Sequence, residues 1–197
     1  LRVLDGVQNL LPYGVPQGLQ GGSSNLVDAY KKCELEGDTL GIYALSALIS
    51  DKAEPSEALK ANVVWSLGME QPNVLLCSKQ LEAFRNGYAV VTERDIKAER
   101  GAYLIQSDFT LEAGASKEWI MAADLGKSIR DVIRLRSDLG TATSLKQDIL
   151  DDIEKGSKGL ISLIAASDGL QLTADRRRNI RHFANTMFNV MRGGIFD

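Results

Sequence analysis

The sequence predicts a mainly β fold followed by a C-terminal helical segment. In residues 25–121, apolar side chains recur at every second position or form short continuous runs, as expected of strands. After Gly126 the apolar period changes to about 3.6, which is typical of amphipathic helices. Strands that precede a block of helices favour a β domain with a helical extension over a parallel sheet with helices on both faces. We therefore expect a β-sandwich-type domain over residues 1–125 and a helical linker segment over residues 126–197.

Turn-forming residues are concentrated near the start of the chain. Residues 12–25 contain two prolines, four glycines and two serines, which predicts a long irregular loop. Loops of this length inside a compact domain often take part in function or in an interface. Tyr13 lies in this loop.

Five runs after this loop are rich in branched, aromatic or alternating apolar residues, which favour strands. They are LVDAYKKCEL, GIYALSALIS, ALKANVVWSLG, GAYLIQSDFTLEAG and KEWIMAADL. A short helix over residues 79–86 is expected between the third and fourth runs, because Ser78 can cap its start and Gly87 follows its end.

Three helices are expected in the last third of the chain. The first covers KSIRDVIRLRSDLG, and the third covers TADRRRNIRHFANTMFNVMRGG. The second begins near Ser144, where Gln147 completes the pattern of a capping box. Gly156 and Gly159 inside it each cost about 1 kcal/mol relative to alanine, so this helix is expected to bend or to divide into two.

Composition excludes some classes of partner. The net charge of −3 provides no global basic field that would attract nucleic acid or an anionic membrane. The sequence has no apolar run of the roughly 20 residues that span a bilayer and no signal-peptide pattern. We therefore expect no nucleic-acid partner and no membrane association, and we favour a cytoplasmic location. Because the sequence lacks an initial Met and ends near the apolar pair Ile195 and Phe196, we expect it to be part of a longer protein.

The sequence contains no familiar catalytic pattern. It has no G-x-S-x-G, P-loop or H-E-x-x-H motif. Cys33 and Cys77 are far apart and His182 is the single histidine, so a zinc site is not expected. Among the 26 acidic residues, no spacing selects a pair for glycoside chemistry. The sequence therefore predicts no catalytic residue, no metal site and no cofactor in this chain.

Three aromatic residues are candidates for carbohydrate contact, because sugar sites combine aromatic rings with planar polar groups: Tyr13, Trp65 and Trp119. Trp65 lies on an alternating apolar face, so a core position is the stronger interpretation for it. The same interpretation applies to Trp119, at the start of a strand. Tyr13 is the best candidate for an exposed ring, because loops run over the protein surface.

A polar stripe is expected along one face of the last helix. His182, Asn185, Asn189 and Arg192 are three or four residues apart and so share that face. Asparagine inside a helix is unfavourable unless its amide finds hydrogen-bond partners. We therefore expect this stripe to contact a partner domain. The four arginines near the start of the same helix are spread around it, which favours an ordinary salt-bridged surface over a phosphate site.

Three stretches of the sequence resemble one enzyme family. They are LRVLDGVQNLLPYGVPQGLQ with LVDAYKKCEL, LEAFRNG with ERGAYLIQSDFTLEAGASKEWIMAADL, and DRRRNIRHFANTMFNVMRGGIFD. Together they are similar to the amino-terminal half of large bacterial proteins related to cellobiose phosphorylase, glycoside hydrolase family 94. The resemblance covers most of the chain but includes no short diagnostic motif.

This resemblance implies a β-supersandwich of the galactose-mutarotase type, or part of one, followed by linker helices and an (α/α)₆ barrel. In that family the general-acid carboxylate belongs to the barrel, so no catalytic residue is assigned to this chain. The implied partners are the missing helical-barrel domain and a second copy in a homodimer. Three functions remain to be distinguished: a non-catalytic domain of a β-glucoside phosphorylase or hydrolase, a free-standing module that binds an oligosaccharide, and a structural or protein-interaction domain.

Overall fold

A computed structural model describes residues 1–47, 59–140, 142–167 and 172–193 of the chain. The chain divides into two compact units, Leu1–Ala142 and Thr143–Asp197. The ends of four predicted elements lie outside the described residues, namely residues 48–50 of the second strand run, residue 58 of the third strand run, residues 168–169 of the second helix and residue 194 of the third helix.

Two antiparallel sheets build the described part of the first unit. The smaller sheet has β7 at its centre and consists of β1 (Arg2–Leu10), β5 (Asn73–Cys77) and β7 (Gly101–Asp108). The larger sheet consists of β2 (Lys31–Glu36), β3 (Leu40–Leu45), β4 (Lys60–Leu67), β6 (Asp95–Lys97) and β8 (Ile120–Ser128). Its strands lie in the order β6-β2-β3-β4-β8, so β6 and β8 form its edges.

Helices connect and follow the strands. The first unit contains α1 (Gln17–Gly22), α2 (Ser24–Tyr30), α3 (Leu81–Arg85) and α4 (Ile129–Leu139). The second unit is helical in its described part and contains most of α5 (Ala142–Ala166) and all of α6 (Arg176–Gly193). The predicted fold class, mainly β with a C-terminal helical segment, is confirmed.

The core of the first unit lies between the two sheets. Its buried members come from both: Cys33, Leu35, Tyr43, Val64, Val74, Leu76, Tyr103 and Ile105. The two core tyrosines keep their hydroxyl groups hydrogen-bonded, because Tyr43 donates to the carbonyl of Ala102 at 2.7 Å and Tyr103 donates to that of Thr39 at 2.6 Å. These bonds offset the cost of burying a hydroxyl group between two sheets.

The outer face of the smaller sheet has its own apolar cover. Leu75, Ala102 and Leu104 are buried there together with Val90. Partly buried side chains complete the cluster: Leu4, Leu81 and Phe84. Because two of these three belong to α3, the short helix and the segment after it close this face of the sheet.

The free edge of β5 is satisfied mainly by Glu93. The carboxylate of Glu93 accepts hydrogen bonds from the backbone N–H groups of Leu76 at 2.7 Å and Cys77 at 3.0 Å. The N–H of Glu93 in turn donates to the carbonyl of Val74 at 2.8 Å. Edge strands with unpaired backbone groups invite association with other chains, so this contact protects the edge.

The structure corrects several predicted elements of the first unit. Residues 12–25 are not one irregular loop, because α1 and the start of α2 lie within them. The run LVDAYKKCEL is helical until Tyr30 and becomes a strand at Lys31. Three strands that were not predicted are β1, β5 and β6. The predicted helix 79–86 exists as the shorter α3.

The domain boundary also differs from the expected one. The predicted boundary at residues 125/126 falls inside β8, which continues to Ser128, and the first unit extends to Ala142. The physical reason is that α4 lies beside the larger sheet, so it belongs to the first unit. Ser128 begins α4 with a capping box, since its hydroxyl accepts from the N–H of Asp131 and its own N–H donates to the Asp131 carboxylate at 2.9 Å.

The second unit departs from prediction at the start of α5. Because α5 already begins at Ala142, Ser144 lies inside its first turn and the capping box predicted for Ser144 is wrong. The helix also runs without interruption through Gly156 and Gly159. The cost of these glycines is therefore borne within a single helix of 25 residues.

Candidate functional site

A cleft lies between α4 and the outer face of the larger sheet. We call it the α4 cleft, and its volume is about 670 Å³. Its floor is formed by small or branched side chains of β3 and β4, namely Ile42, Ala44 and Ala61. Its α4 wall is formed by Ile129, Val132, Ile133 and Arg136. A volume of this size is typical of small-molecule sites.

The sequence of β2 explains the charged side of the cleft. In KKCELE, Cys33 and Leu35 face the core, so the alternation places Lys32, Glu34 and Glu36 on the opposite face, where they line the cleft. Lys32 Nζ lies 2.7 Å from Glu34 Oε1. The cleft therefore combines an apolar floor with a row of charged side chains.

An ion pair joins the sheet to the helix across the cleft. Arg136 Nη1 lies 3.2 Å from Glu36 Oε2. Both side chains are substantially exposed, so the pair contributes roughly 0.2–1 kcal/mol and acts mainly to position α4. At the other end of α4, Ile129 is 77% exposed and Ile133 is 63% exposed. The cleft is thus open to solvent along an apolar wall.

Tyr13 lies beside this cleft. Its ring is 42% exposed, and Lys60 Nζ, which also lines the cleft, is 5.2 Å from the ring centroid. Gly126 packs against the ring, since a Cβ added there would lie 3.0 Å from a ring carbon. Of the three candidate aromatic residues, Tyr13 is the one placed at the surface next to a cavity.

A bulge between β4 and β8 supports Tyr13. The strand register shifts opposite Asn62, because the two steps of β4 from Ala61 to Val63 oppose three steps of β8. Asn62 Oδ1 accepts from the N–H of Gly126 at 3.0 Å, and its Nδ2 donates to the carbonyl of Leu11 at 2.8 Å. Sequence reasoning missed Asn62, although an amide inside the apolar run ANVVWSL was the available signal.

The two tryptophan rings are packed against other parts of the protein. Trp65 is 6% exposed, so the core interpretation applies and the residue offers no platform to a sugar. Trp119 packs against the core cluster, and its Nε1 donates to Asp5 Oδ2 at 2.7 Å. The physical reason in both cases is that a large apolar ring gains more from burial than from exposure.

The polar stripe of the last helix lies at the surface of α6. Asn185, Asn189 and Arg192 are exposed, and His182 is half-buried. Phe188 falls on the same face by helical spacing and is 56% exposed, with the Arg192 guanidinium carbon 5.6 Å from its ring centroid. We call this surface, Asn185, Phe188, Asn189 and Arg192, the α6 face.

The arginines at the start of α6 have a local partner. Asp175 Oδ1 accepts from the N–H groups of Arg177 at 3.0 Å and Arg178 at 3.3 Å. Asp175 Oδ2 lies 3.3 Å from Arg178 Nε. This carboxylate accepts hydrogen bonds from N–H groups that have no partner within the helix, and its negative charge offsets the unfavourable basic charge at the helix start.

The sequence matches no protein-family model and no curated protein. Within the described ranges, no group of three or more His, Cys, Asp or Glu side chains is arranged to hold a metal ion. In that same part of the chain, no helix is long and apolar enough to cross a membrane.

The chemistry available in the α4 cleft is that of binding. Lys32, Lys60 and Arg136 can donate hydrogen bonds to a ligand, and Glu34 and Glu36 can accept them. The apolar floor and the neighbouring ring of Tyr13 can cover C–H groups. This combination suits a polyhydroxylated ligand better than a purely apolar one. The sequence did not indicate the cleft, because its residues come from five separate elements.

Proposed function

We propose that this chain is a non-catalytic β domain with linker helices, belonging to a carbohydrate-active enzyme that cleaves or phosphorolyses β-glucosidic bonds. The observation that carries the proposal is the exposed apolar surface of the helical unit. The class of enzyme is suggested by the resemblance of the sequence to glycoside hydrolase family 94.

Apolar side chains are exposed along both helices of the second unit. On α6, Ile180, Phe188 and Met191 are each more than half exposed. Others lie on α5: Leu150, Ile153, Leu160, Ile161 and Leu163. Contiguous exposed apolar patches of several hundred Å² are rare on free-standing soluble proteins and usually mark an interface. This supports a role in which the helices pack on another protein surface.

The partner suggested by the resemblance is the helical-barrel domain of the same protein. The α6 face and the neighbouring Met191 supply both kinds of group that such a contact uses, since Phe188 and Met191 offer apolar area and the amides of Asn185 and Asn189 offer hydrogen bonds. A homodimer would bury the same surface.

Binding of an apolar fluorescent dye tests whether this surface forms one contiguous apolar patch. We expect the double variant Phe188→Gln, Met191→Gln to lose a large part of the dye binding of the wild type. The matched control is Tyr88→Gln, Leu125→Gln, which removes two exposed apolar side chains from the first unit. Equal losses in both variants would argue against the proposal. Phosphorolysis or hydrolysis of cellobiose by the chain alone would contradict the proposal that this domain is non-catalytic.

A second candidate function, a carbohydrate-binding module, is favoured by the position of Tyr13 at the α4 cleft. Titration calorimetry with cellobiose and cellotetraose tests it. We expect binding that is lost in Tyr13→Ala and kept in Tyr88→Ala, since Tyr88 is exposed on the first unit but does not line the cleft. The absence of heat with either sugar at millimolar concentration would exclude this candidate.

A further inference from the structure

A second cavity of the first unit is small and basic. We call it the Lys31 pocket, and it has a volume of about 260 Å³. It is lined by Asn9, Leu11, Gln20, Lys31 and Arg100, which come from β1, the segment after it, α1, β2 and the turn before β7. The pocket is separate from the α4 cleft, with which it shares no lining residue.

Lys31 is unusual because it is buried and charged. The residue is 3% exposed, whereas lysine is almost never fully buried without a partner. Its Nζ lies 2.7 Å from Asp28 Oδ1 and 3.5 Å from Gln20 Oε1. The ammonium group has three protons, and these two acceptors, one of them at the limit of hydrogen bonding, leave donor capacity towards the cavity.

The charges around the pocket do not cancel. Asp28 also binds Arg100, whose Nε lies 3.3 Å from Asp28 Oδ2. Burial favours the neutral form of Asp28, but the hydrogen bonds and charges of Lys31 and Arg100 outweigh it and lower the pKa of this carboxyl group. Asp28 is therefore ionised at neutral pH, and within the described residues this cluster comprises one carboxylate, Asp28, and two cations, Lys31 and Arg100. One positive charge remains in excess.

The guanidinium group of Arg100 keeps donors that a planar anion could use. The contact of Arg100 with Asp28 uses Nε, so that contact does not use the two terminal nitrogens of the guanidinium group. Arg100 is largely exposed and stands at the mouth of the pocket, while Lys31 lies deep within it. Guanidinium groups bind carboxylates through two parallel hydrogen bonds. Asn9, held at φ 60° in the bulge of β1, adds an amide to the same wall.

We propose that the Lys31 pocket binds the carboxylate group of a small molecule. One negative charge neutralises the excess positive charge, whereas a phosphate dianion would leave the site negative beside Asp28. The volume admits a small acid, and Leu11 provides an apolar wall for its carbon atoms. The competing explanation is that Lys31 and Asp28 only tie α2 to β2, in which case the pocket holds solvent.

Chemical-shift titration of the isotopically labelled chain tests the proposal, at constant ionic strength maintained with chloride. The probes are acetate, D-glucuronate and D-glucose, which has the ring of glucuronate without its carboxylate. We expect acetate or glucuronate to shift the resonances of Lys31 and Arg100 with saturation in the millimolar range, and glucose to leave them unchanged. Inorganic phosphate is expected to bind more weakly than acetate.

Two matched arginine variants decide whether the pocket is responsible. Arg100 and Arg85 are similarly exposed, and each pairs with one carboxylate. We expect Arg100→Gln to weaken carboxylate binding by at least about tenfold, because a hydrogen bond to a charged group is lost, and Arg85→Gln to leave it unchanged. Lys31→Met should abolish binding. If this variant does not fold, the comparison of the two arginine variants decides whether the pocket binds the carboxylate.

Three results would overturn the proposal. The first is the absence of any saturable shift with acetate and with glucuronate. The second is binding that persists in Arg100→Gln or falls equally in Arg85→Gln. The third is phosphate binding as tight as acetate binding, which would mean that the site does not select a single negative charge.

Discussion

The indole Nε1 of Trp119 donates a hydrogen bond of 2.7 Å to Oδ2 of Asp5, a residue 114 positions earlier in the chain. Asp5 lies on β1 of the smaller sheet, and Trp119 directly precedes β8 of the larger one. The same carboxylate accepts from the N–H of Gly6 at 2.8 Å through its other oxygen. One side chain thus holds the two sheets together where their edges meet.

Removal of this carboxylate should be costly. We expect Asp5→Ala to lower the free energy of unfolding by about 2–3 kcal/mol, because a charged acceptor is lost and the indole N–H is left without its partner. The control is Asp108→Ala, which removes a carboxylate that is 69% exposed and should change stability by less than about 0.5 kcal/mol. Urea unfolding measures both values, and similar losses in the two variants would show that the Trp119 bond is not stabilising.

Gly126 should be the most sensitive position beside Tyr13. Its φ is 65°, and an added Cβ would meet the Tyr13 ring at 3.0 Å. We expect Gly126→Ala to cost about 1–2 kcal/mol from the left-handed backbone alone, with a further loss from the displaced ring. Gly87→Ala separates the two effects, since Gly87 has a φ of 79° with open space around it. If both variants lose the same stability, the packing of Tyr13 on Gly126 contributes nothing.

The buried thiol of Cys33 predicts a loss of stability in alkaline solution. Burial raises the pKa of Cys33 from 9.0 to about 12. Between these values the unfolded chain releases the thiol proton and the folded chain keeps it, so stability is full below pH 9 and falls as pH rises towards 12. The expected slope is at most about 1.4 kcal/mol per pH unit for one thiol.

Unfolding measured in steps from below pH 9 upwards checks this dependence, and Cys33→Ala is the comparison. We expect a shallower decline in the variant. Burial also raises the pKa of Cys77 above 9.0 and those of Tyr43 and Tyr103 above 10.0, so the interval just above pH 9 reports on the two thiols and the variant isolates the share of Cys33. An unchanged slope in Cys33→Ala would rule out the thiol as the cause.

Asn189 should influence assembly more than folding. We expect Asn189→Leu to change the free energy of unfolding by less than about 0.5 kcal/mol, because the side chain is exposed, while solubility falls as the α6 face becomes more apolar. Glu82→Leu on α3 adds an equivalent exposed leucine elsewhere. Light scattering and melting temperature distinguish the outcomes. A large melting-temperature loss with unchanged solubility would show that Asn189 serves the fold.

The architecture was predictable where periodicity was strong. The apolar alternation of β4 and the helical stripes of α4 and α6 each correspond to an observed element. Three strands, β1, β5 and β6, gave no such signal. β1 contains Gly6, which has φ 153° and lies against the backbone of Tyr103, and its run of alternating residues is interrupted there. β6 has three residues and exists because β2 pairs with it.

The candidate functional residues differ in the same way, because local sequence determines the environment of some and the tertiary fold determines that of others. Trp65 is buried, although strand alternation places it on the face of β4 opposite to Val64, which belongs to the core between the sheets. The α4 cleft and the Lys31 pocket could not be predicted, since each collects residues from distant elements. Lys31 in particular looks like an ordinary surface lysine in sequence, and its burial depends on Asp28 and the helices before β2.

The central claim is that the exposed apolar surface of the helical unit is an interface, which a second copy of the chain covers when no other partner is present. Sedimentation velocity over a range of chain concentrations tests it most directly, with the variant Phe188→Gln, Met191→Gln run in parallel. We predict that the wild type associates as its concentration rises and that the variant stays monomeric with an unchanged melting temperature. A wild type that sediments as a single monomeric species at every concentration would contradict the claim.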